Sequence, residues 1–115
     1  MSGNVSTSHD EYVELVLRLV ERIPWGRATT YGDIAEAVRA VTGSGGPRQV
    51  GRVMALHGSA VPWWRVVRAD GRLPAGHEDE ARQQHLAEAT PMVDAERIDL
   101  ARAGWDPGAT LLNRP

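Results

Sequence analysis

Apolar positions in the first part of the chain recur with helical spacing. Val13, Val16, Leu17 and Val20 fall at i, i+3, i+4 and i+7, which places one apolar stripe on a helix. Ser8 and Glu11 have the capping-box spacing ahead of it. Pro24 closes this helix near Arg22 or Ile23, because the residue before a proline avoids helical backbone. Residues 1–8 are small and polar and are expected to be disordered. Residues 9–115 then form a single domain.

A second stripe runs through Ile34, Ala35, Val38 and Val41. Thr30 is placed to cap it, with Asp33 at the partner position three residues on. Gly43-Ser44-Gly45-Gly46 breaks the pattern. Pro47 suits the first position of a third helix, where its missing N–H leaves nothing unpaired. Val50, Val53 and Met54 supply that helix's core face. Gly51 in its middle costs about 1 kcal/mol against alanine unless a close approach requires it. Two short helices around a glycine-containing turn make a helix-turn-helix candidate. A plain structural helix pair has the same pattern.

The second half alternates differently. Val66-Val67 reads as a short strand, and Arg68 to Pro74 as a strand-turn-strand wing around Asp70-Gly71. Residues 78–89 read as a helix with a thin stripe of Ala81, Leu86 and Ala89. Ile98-Asp99-Leu100 is a short strand candidate. Gly104 to Pro107 is a terminal turn, with Trp105 docked on the core. The fold class is therefore mainly α with a small β wing.

Composition narrows the chemistry. The chain has no cysteine, which removes disulfides, thiolate metal sites and cysteine nucleophiles together. His9, His57, His77 and His85 lack convergent spacing, so no metal and no cofactor is expected. Glu78-Asp79-Glu80 suits a helix N-terminus better than an acid–base pair. There is no phosphate loop or dinucleotide fingerprint. No apolar run reaches the roughly 18 residues that span a membrane, and no signal pattern opens the chain. A cytoplasmic monomer is the expectation.

Charge changes the picture further. The net charge is −2, yet residues 27–72 carry seven arginines against three acids. Every basic residue is arginine, permanently charged and able to fork onto phosphate or stack on a base. A basic middle between acidic flanks fits a phosphate-facing surface, or a chance grouping of surface charge. Pro62-Trp63-Trp64-Arg65 is the other unusual feature. Two adjacent tryptophans serve as core packing, or as an aromatic wall for a flat ligand such as a nucleobase.

Thr30-Tyr31-Gly32-Asp33-Ile34-Ala35, Pro47-Arg48-Gln49-Val50-Gly51 and Pro62-Trp63-Trp64-Arg65-Val66-Val67 occur in one order. In that order and spacing they resemble the C-terminal domain of the O6-alkylguanine-DNA alkyltransferases. The likeness runs from about Glu11 to Trp105-Asp106-Pro107. It implies a winged-helix-like DNA-binding domain containing a helix-turn-helix. In the repair enzymes the pocket motif reads Pro-Cys-His-Arg, and the cysteine accepts the alkyl group. Here Trp63 and Trp64 stand at the cysteine and histidine positions. An indole cannot displace the alkyl group, and no Ser-His or lysine pair lies near the motif. Tryptophan at the cysteine position marks the alkyltransferase-like proteins. Membership implies binding of double-stranded DNA containing alkylated guanine, without alkyl transfer, and handover to nucleotide excision repair proteins.

The resemblance also implies roles. Tyr31 crowds the target phosphate and Arg48 fills the space left by the rotated nucleotide. Trp63 lines the lesion pocket, with Trp64 beside it. Arg72 and Leu73, on the wing, close over the base. Arg65 fixes the loop. Gln49 and Arg52 face DNA by their spacing on the third helix. The competing reading is a winged-helix transcription regulator that reads intact sequence in the major groove.

Overall fold

The computed structural model describes residues 9–112. Residues 1–8, including the Ser8 cap expectation, lie outside that range. The elements, in order, are α1 (His9–Glu21), β1 (Thr29–Thr30), α2 (Tyr31–Thr42), α3 (Pro47–His57), β2 (Val66–Val67), α4 (Glu78–Ala87), β3 (Met92–Asp94), β4 (Arg97–Ile98), α5 (Leu100–Ala103) and α6 (Pro107–Leu112).

The first three helices pack on one another and hold the larger core. Thr30 caps α2 as its spacing requires: its hydroxyl accepts the Asp33 N–H at 3.0 Å. Gly43 ends α2 in the left-handed conformation, and Pro47 opens α3. Gly45, in the loop between them, has φ +95°, and a Cβ there would sit 2.5 Å from the Tyr12 hydroxyl. The Arg39 guanidinium clasps the Gly45 carbonyl at 2.7 and 3.1 Å, which holds the loop in place.

Two stripes differ from expectation. The inner face of α1 is Tyr12, Val16, Leu19 and Val20, with Val13 and Leu17 only half-buried. Tyr12, Val13, Leu15, Val16, Leu17, Leu19 and Val20 give the helix a broad apolar face, so periodicity alone admits more than one centre for its buried part. Val41, expected in the α2 stripe, is 61% exposed, because the last turn of α2 extends past the core.

β1 and β2 pair in parallel, Thr29 with Val66 and Thr30 with Val67. Successive side chains of a strand point to opposite faces. Val66 therefore joins the larger core, while Val67 joins a second one made with Ala28, Leu73, Ala81, Ile98 and Ala103. The central pair β1–β2 is the seam between the two.

The wing differs from the expected hairpin. Asp70-Gly71 does form a turn: the Gly71 N–H donates to the Arg68 carbonyl at 2.8 Å and Gly71 has φ +89°. No pair of strands leaves it. Arg72 bridges to Arg97 instead, and the antiparallel pair is β3–β4. A Cβ on Gly71 would lie 2.5 Å from the Ile98 carbonyl oxygen, so this turn packs directly on β4. The strand expected at Ile98–Leu100 lies at Arg97–Ile98, and Leu100 opens α5. Trp105 docks on the larger core as expected, but the turn is followed by α6, which packs on α2.

α4 buries a polar face. The expected stripe is Ala81, Leu86 and Ala89, yet Leu86 is 67% exposed and Ala89 is exposed. The buried positions are Ala81, His85 and Glu88, at i, i+4 and i+7. Glu88 accepts from the Arg65 guanidinium (2.6 Å), the Trp64 indole N–H (2.9 Å) and the Gly26 N–H (2.9 Å). Arg65 also donates to the Ile23 carbonyl at 2.9 Å. The structural role expected of Arg65 agrees with these partners. His85 lies 2.6 Å from the Trp64 carbonyl and 2.9 Å from the Thr90 hydroxyl. A carbonyl only accepts, so Nε2 carries the proton and Nδ1 accepts from Thr90.

This network can be probed in two ways. Glu88→Ala leaves the Arg65 charge buried and unpaired, and is expected to cost about 3–5 kcal/mol in denaturant unfolding. The second probe is pH. Burial pushes the His85 imidazole below its ordinary 6.5, so the folded protein holds it neutral. The unfolded chain then binds the proton first, and stability falls as pH drops through about 6.5. Burial raises the Glu88 carboxyl, but the hydrogen bonds and charge of Arg65, with the Gly26 and Trp64 donors, outweigh it and hold it below 4.5. Its stabilisation is present above that pH and lost below. Thermal melts should show Tm declining from about pH 6.5 and more steeply below about 4.5. His85→Gln should remove the first decline and keep the second.

Candidate nucleic-acid interface

Helix α3 stands between two concavities. On one flank Gly51 and Ala55 border a cleft of about 590 Å³. This lies within the size range of small-ligand sites. Tyr31, Trp63, Arg68 and His77 line its other sides. On the opposite flank Arg48, Gln49 and Arg52 line a groove of about 280 Å³ shared with α1. Helical spacing explains the division. Gly51 and Ala55 form one i, i+4 row, Arg48 and Arg52 the next.

Trp63 begins a 3₁₀ turn, Trp63–Arg65, which runs directly into β2. Its half-buried ring meets Trp64 edge-on, with centroids 5.7 Å apart, and His77 at the same distance. Trp64 does not line the cleft. Its ring packs on the second core, its indole donates to Glu88, and Arg65 lies 5.5 Å from its centroid. The residue expected in the pocket is thus a support behind the pocket residue.

Tyr31 is the first residue of α2, set by the Thr30 cap. It is half-buried against the larger core. Burial raises its phenol above the ordinary value, and the nearby Arg68 charge partly opposes this. The phenol of this cleft-lining residue is therefore held neutral.

Leu73 and Arg72 sit elsewhere than expected. Leu73 is 2% exposed in the second core and lines no part of the cleft. The Leu73 N–H is held by the Glu96 carbonyl, which turns its side chain inward. Arg72 pairs with Asp70 at 3.1 Å and lines a separate depression with Arg82 and Glu96. Pro74, His77 and Glu80 close the cleft in their place, and His77 lies 3.5 Å from Glu80. Sequence reasoning missed Arg68 and His77. Arg68 follows the strand Val66-Val67 and belongs to the basic middle, which is a usable signal. Nothing local marks His77, fourteen residues after Trp63.

The seven arginines of the basic middle divide in two. Arg27 donates to the Ala103 and Gly104 carbonyls, Arg39 to Gly45, Arg65 to Glu88 and Arg72 to Asp70. Arg48, Arg52 and Arg68 make no guanidinium hydrogen bond or ion pair among the described residues. All three line the two concavities beside α3. The first four hold the fold; among the described residues, nothing occupies the guanidinium donors of the other three. No group of three or more metal-ligating side chains is assembled among the described residues. No helix among them is long and apolar enough to cross a membrane.

The family model described as 6-O-methylguanine DNA methyltransferase, DNA binding domain, matches residues 11–90. The DNA base-flipping protein of Escherichia coli (strain K12) is 36% identical over 101 residues, covering 84% of this chain and 76% of that protein. The DNA base-flipping protein of Vibrio parahaemolyticus serotype O3:K6 (strain AQ3810) is 29% identical over 102 residues, covering 85% and 99%. Among solved structures, S. pombe Atl1 in complex with damaged DNA containing O6-carboxymethylguanine is similar with a TM-score of 0.71 and 26% identity, over 87% of this chain and 99% of that one. S. pombe ATL in complex with DNA is similar with a TM-score of 0.70 and 30% identity, over the same shares. The family model over residues 11–90, the identity to the base-flipping proteins and the shared fold agree: the chain belongs to the 6-O-methylguanine DNA methyltransferase DNA-binding-domain family, as an alkyltransferase-like member.

Proposed function

We propose that this protein recognises O6-alkylguanine in double-stranded DNA by rotating the nucleotide into the Trp63 cleft, transfers nothing, and flags the site for nucleotide excision repair. One observation carries the reading. An aromatic-walled cleft, with Trp63 as its wall, opens beside a helix whose Arg48 and Arg52 have no guanidinium partner among the described residues; the motif resemblance supports Trp63 as the residue at the family's nucleophile position. The similarity to proteins named for base flipping, and to Atl1 bound to O6-carboxymethylguanine DNA, supports it.

Physical costs fit this use. Extruding a base costs a few kcal/mol, less where the pair is already weakened by alkylation. Stacking on an aromatic wall returns about 1–3 kcal/mol. Trp63 supplies that wall, braced by Trp64. Tyr31 borders the cleft where the backbone of the rotated nucleotide would turn. Arg48, exposed near the start of α3, fills the vacated stack and pairs with the orphaned base. Gln49 and Arg52 meet the duplex from the same helix. The cleft has aromatic and small apolar walls, with Ser59, Arg68, His77 and Glu80 as its other polar lining groups, of which Arg68 and His77 are donors to a base. A monomer suffices for this reading, since one chain carries the whole cleft.

Titration with duplexes containing guanine or O6-methylguanine, followed by tryptophan fluorescence, should show tighter binding to the lesion in any sequence context. The protein mass should be unchanged afterwards. Equal affinity for both duplexes, or preference for one intact sequence, favours a transcription regulator; a gain of one methyl group establishes an enzyme. Arg48→Ala should weaken lesion binding by about 1–3 kcal/mol, the scale of stacking on one base, without lowering Tm. Unchanged affinity means another residue fills the stack.

A further inference from the structure

The cleft flank of α3 is occupied, in the proposed reading, by the rotated nucleotide. The α1 flank has a different chemistry. Its groove is lined by Arg48, Arg52, Gln49 and His57 from α3 and by His9 from α1, and none of its lining residues among those described is acidic. Tyr12 and Val53 form the floor, and Leu56 is 68% exposed along the edge. The guanidinium of Arg52 has no hydrogen bond or ion pair among the described residues. The two flanks also differ in reach. A Cβ on Gly51 would meet nothing within 4 Å, which leaves room beside the cleft for a nucleotide. The other flank projects long cationic side chains.

From this asymmetry we infer that the α1–α3 groove is a phosphate-binding site for the strand complementary to the lesion, with Arg52 its principal ligand. A duplex groove has one phosphate backbone on each wall. A helix inserted as a ridge presents each flank to one wall. The flank with space and an aromatic wall takes the strand that gives up its nucleotide. The flank with free guanidinium, amide and imidazole donors then faces the other strand. Leu56 adds an apolar surface suited to deoxyribose. Arg48, at the head of the row Arg48–Arg52, lies nearest the duplex axis between the two strands. The strand assignment rests on the lesion-recognition reading; the presence of a phosphate site in the groove does not.

Neutral methylphosphonate linkages test the assignment strand by strand. Duplexes with one O6-methylguanine carry a short neutral run in either the lesion strand or its complement. For the unaltered protein, neutralising the complement should weaken binding several-fold. Arg52→Ala should bind the fully charged duplex several-fold more weakly, and neutralising the complement should weaken it little further. Neutralising the lesion strand should weaken both proteins alike. The slope of log K against log salt should fall by about 0.9 in Arg52→Ala, the increment for a single neutralised phosphate. The same slope change should appear with undamaged duplex, so it reports on the groove even if lesion preference is absent. The assignment is overturned if Arg52→Ala is additive with the complement and non-additive with the lesion strand. It is also overturned if Arg52→Ala keeps full affinity and an unchanged salt slope. Circular dichroism checks that the variant is folded, as expected for a substitution at an exposed helix position.

Discussion

The buried pair between Arg65 and Glu88 is the interaction on which the rest of this structure depends. It joins segments far apart in the sequence: the loop after α1 through the Ile23 carbonyl and the Gly26 N–H, the pocket motif through Arg65 and Trp64, and the end of α4 through Glu88. Two charges out of water are tolerable only when each is fully hydrogen-bonded. Here the carboxylate has three kinds of donor and the guanidinium has two acceptors. Trp25 and Trp64 lie on the guanidinium within 5.6 and 5.5 Å, which shields it further. Such a pair adds little net stability over an apolar alternative. Its effect is to permit one arrangement of the segments it joins.

That arrangement places Trp63. The tryptophan sits at the start of a turn whose next two residues are both anchored, Trp64 by its indole and carbonyl and Arg65 by its guanidinium. β2 follows immediately and is paired with β1, whose last residue caps α2 and so sets Tyr31. The two aromatic residues that border the cleft are thus linked through one short parallel pair of strands. Rigid support of this kind suits a binding site that is formed before its ligand arrives.

Much of this is legible in the chain. Thr30, Gly43, Pro47 and the Asp70-Gly71 turn act through local backbone geometry, and each does what its residue type dictates. The misplaced features share another cause. Glu88 and His85 form a buried face that reads as polar, because burial there is compensated by partners 20 or more residues distant. Leu73 reads as part of an exposed wing, but its backbone is held by Glu96 and its side chain enters a core that no local pattern announces. The Arg72 carbonyl does accept the Arg68 N–H across the turn at 2.9 Å, but the pairing goes no further there and continues with Arg97, so the wing's strand pair lies at β3–β4.

By itself, the sequence determined the Thr30 cap of α2, the Gly43 and Pro47 punctuation between α2 and α3, and the absence of any thiol. These depend on residue identity or on neighbours a few positions apart. Tertiary structure alone decided which arginines of the basic middle have donors to spare. Motif and spacing set Arg48, Arg52 and Arg65 apart, but nothing local separates Arg68 from Arg27, Arg39 and Arg72, which are held by carbonyls and a carboxylate. It also decided that Pro74 and His77, and not Arg72 and Leu73, close the cleft. The physical reason is the same in both cases. A charged or apolar side chain goes to whichever partner the folded backbone brings within reach, and those partners lie far away along the chain.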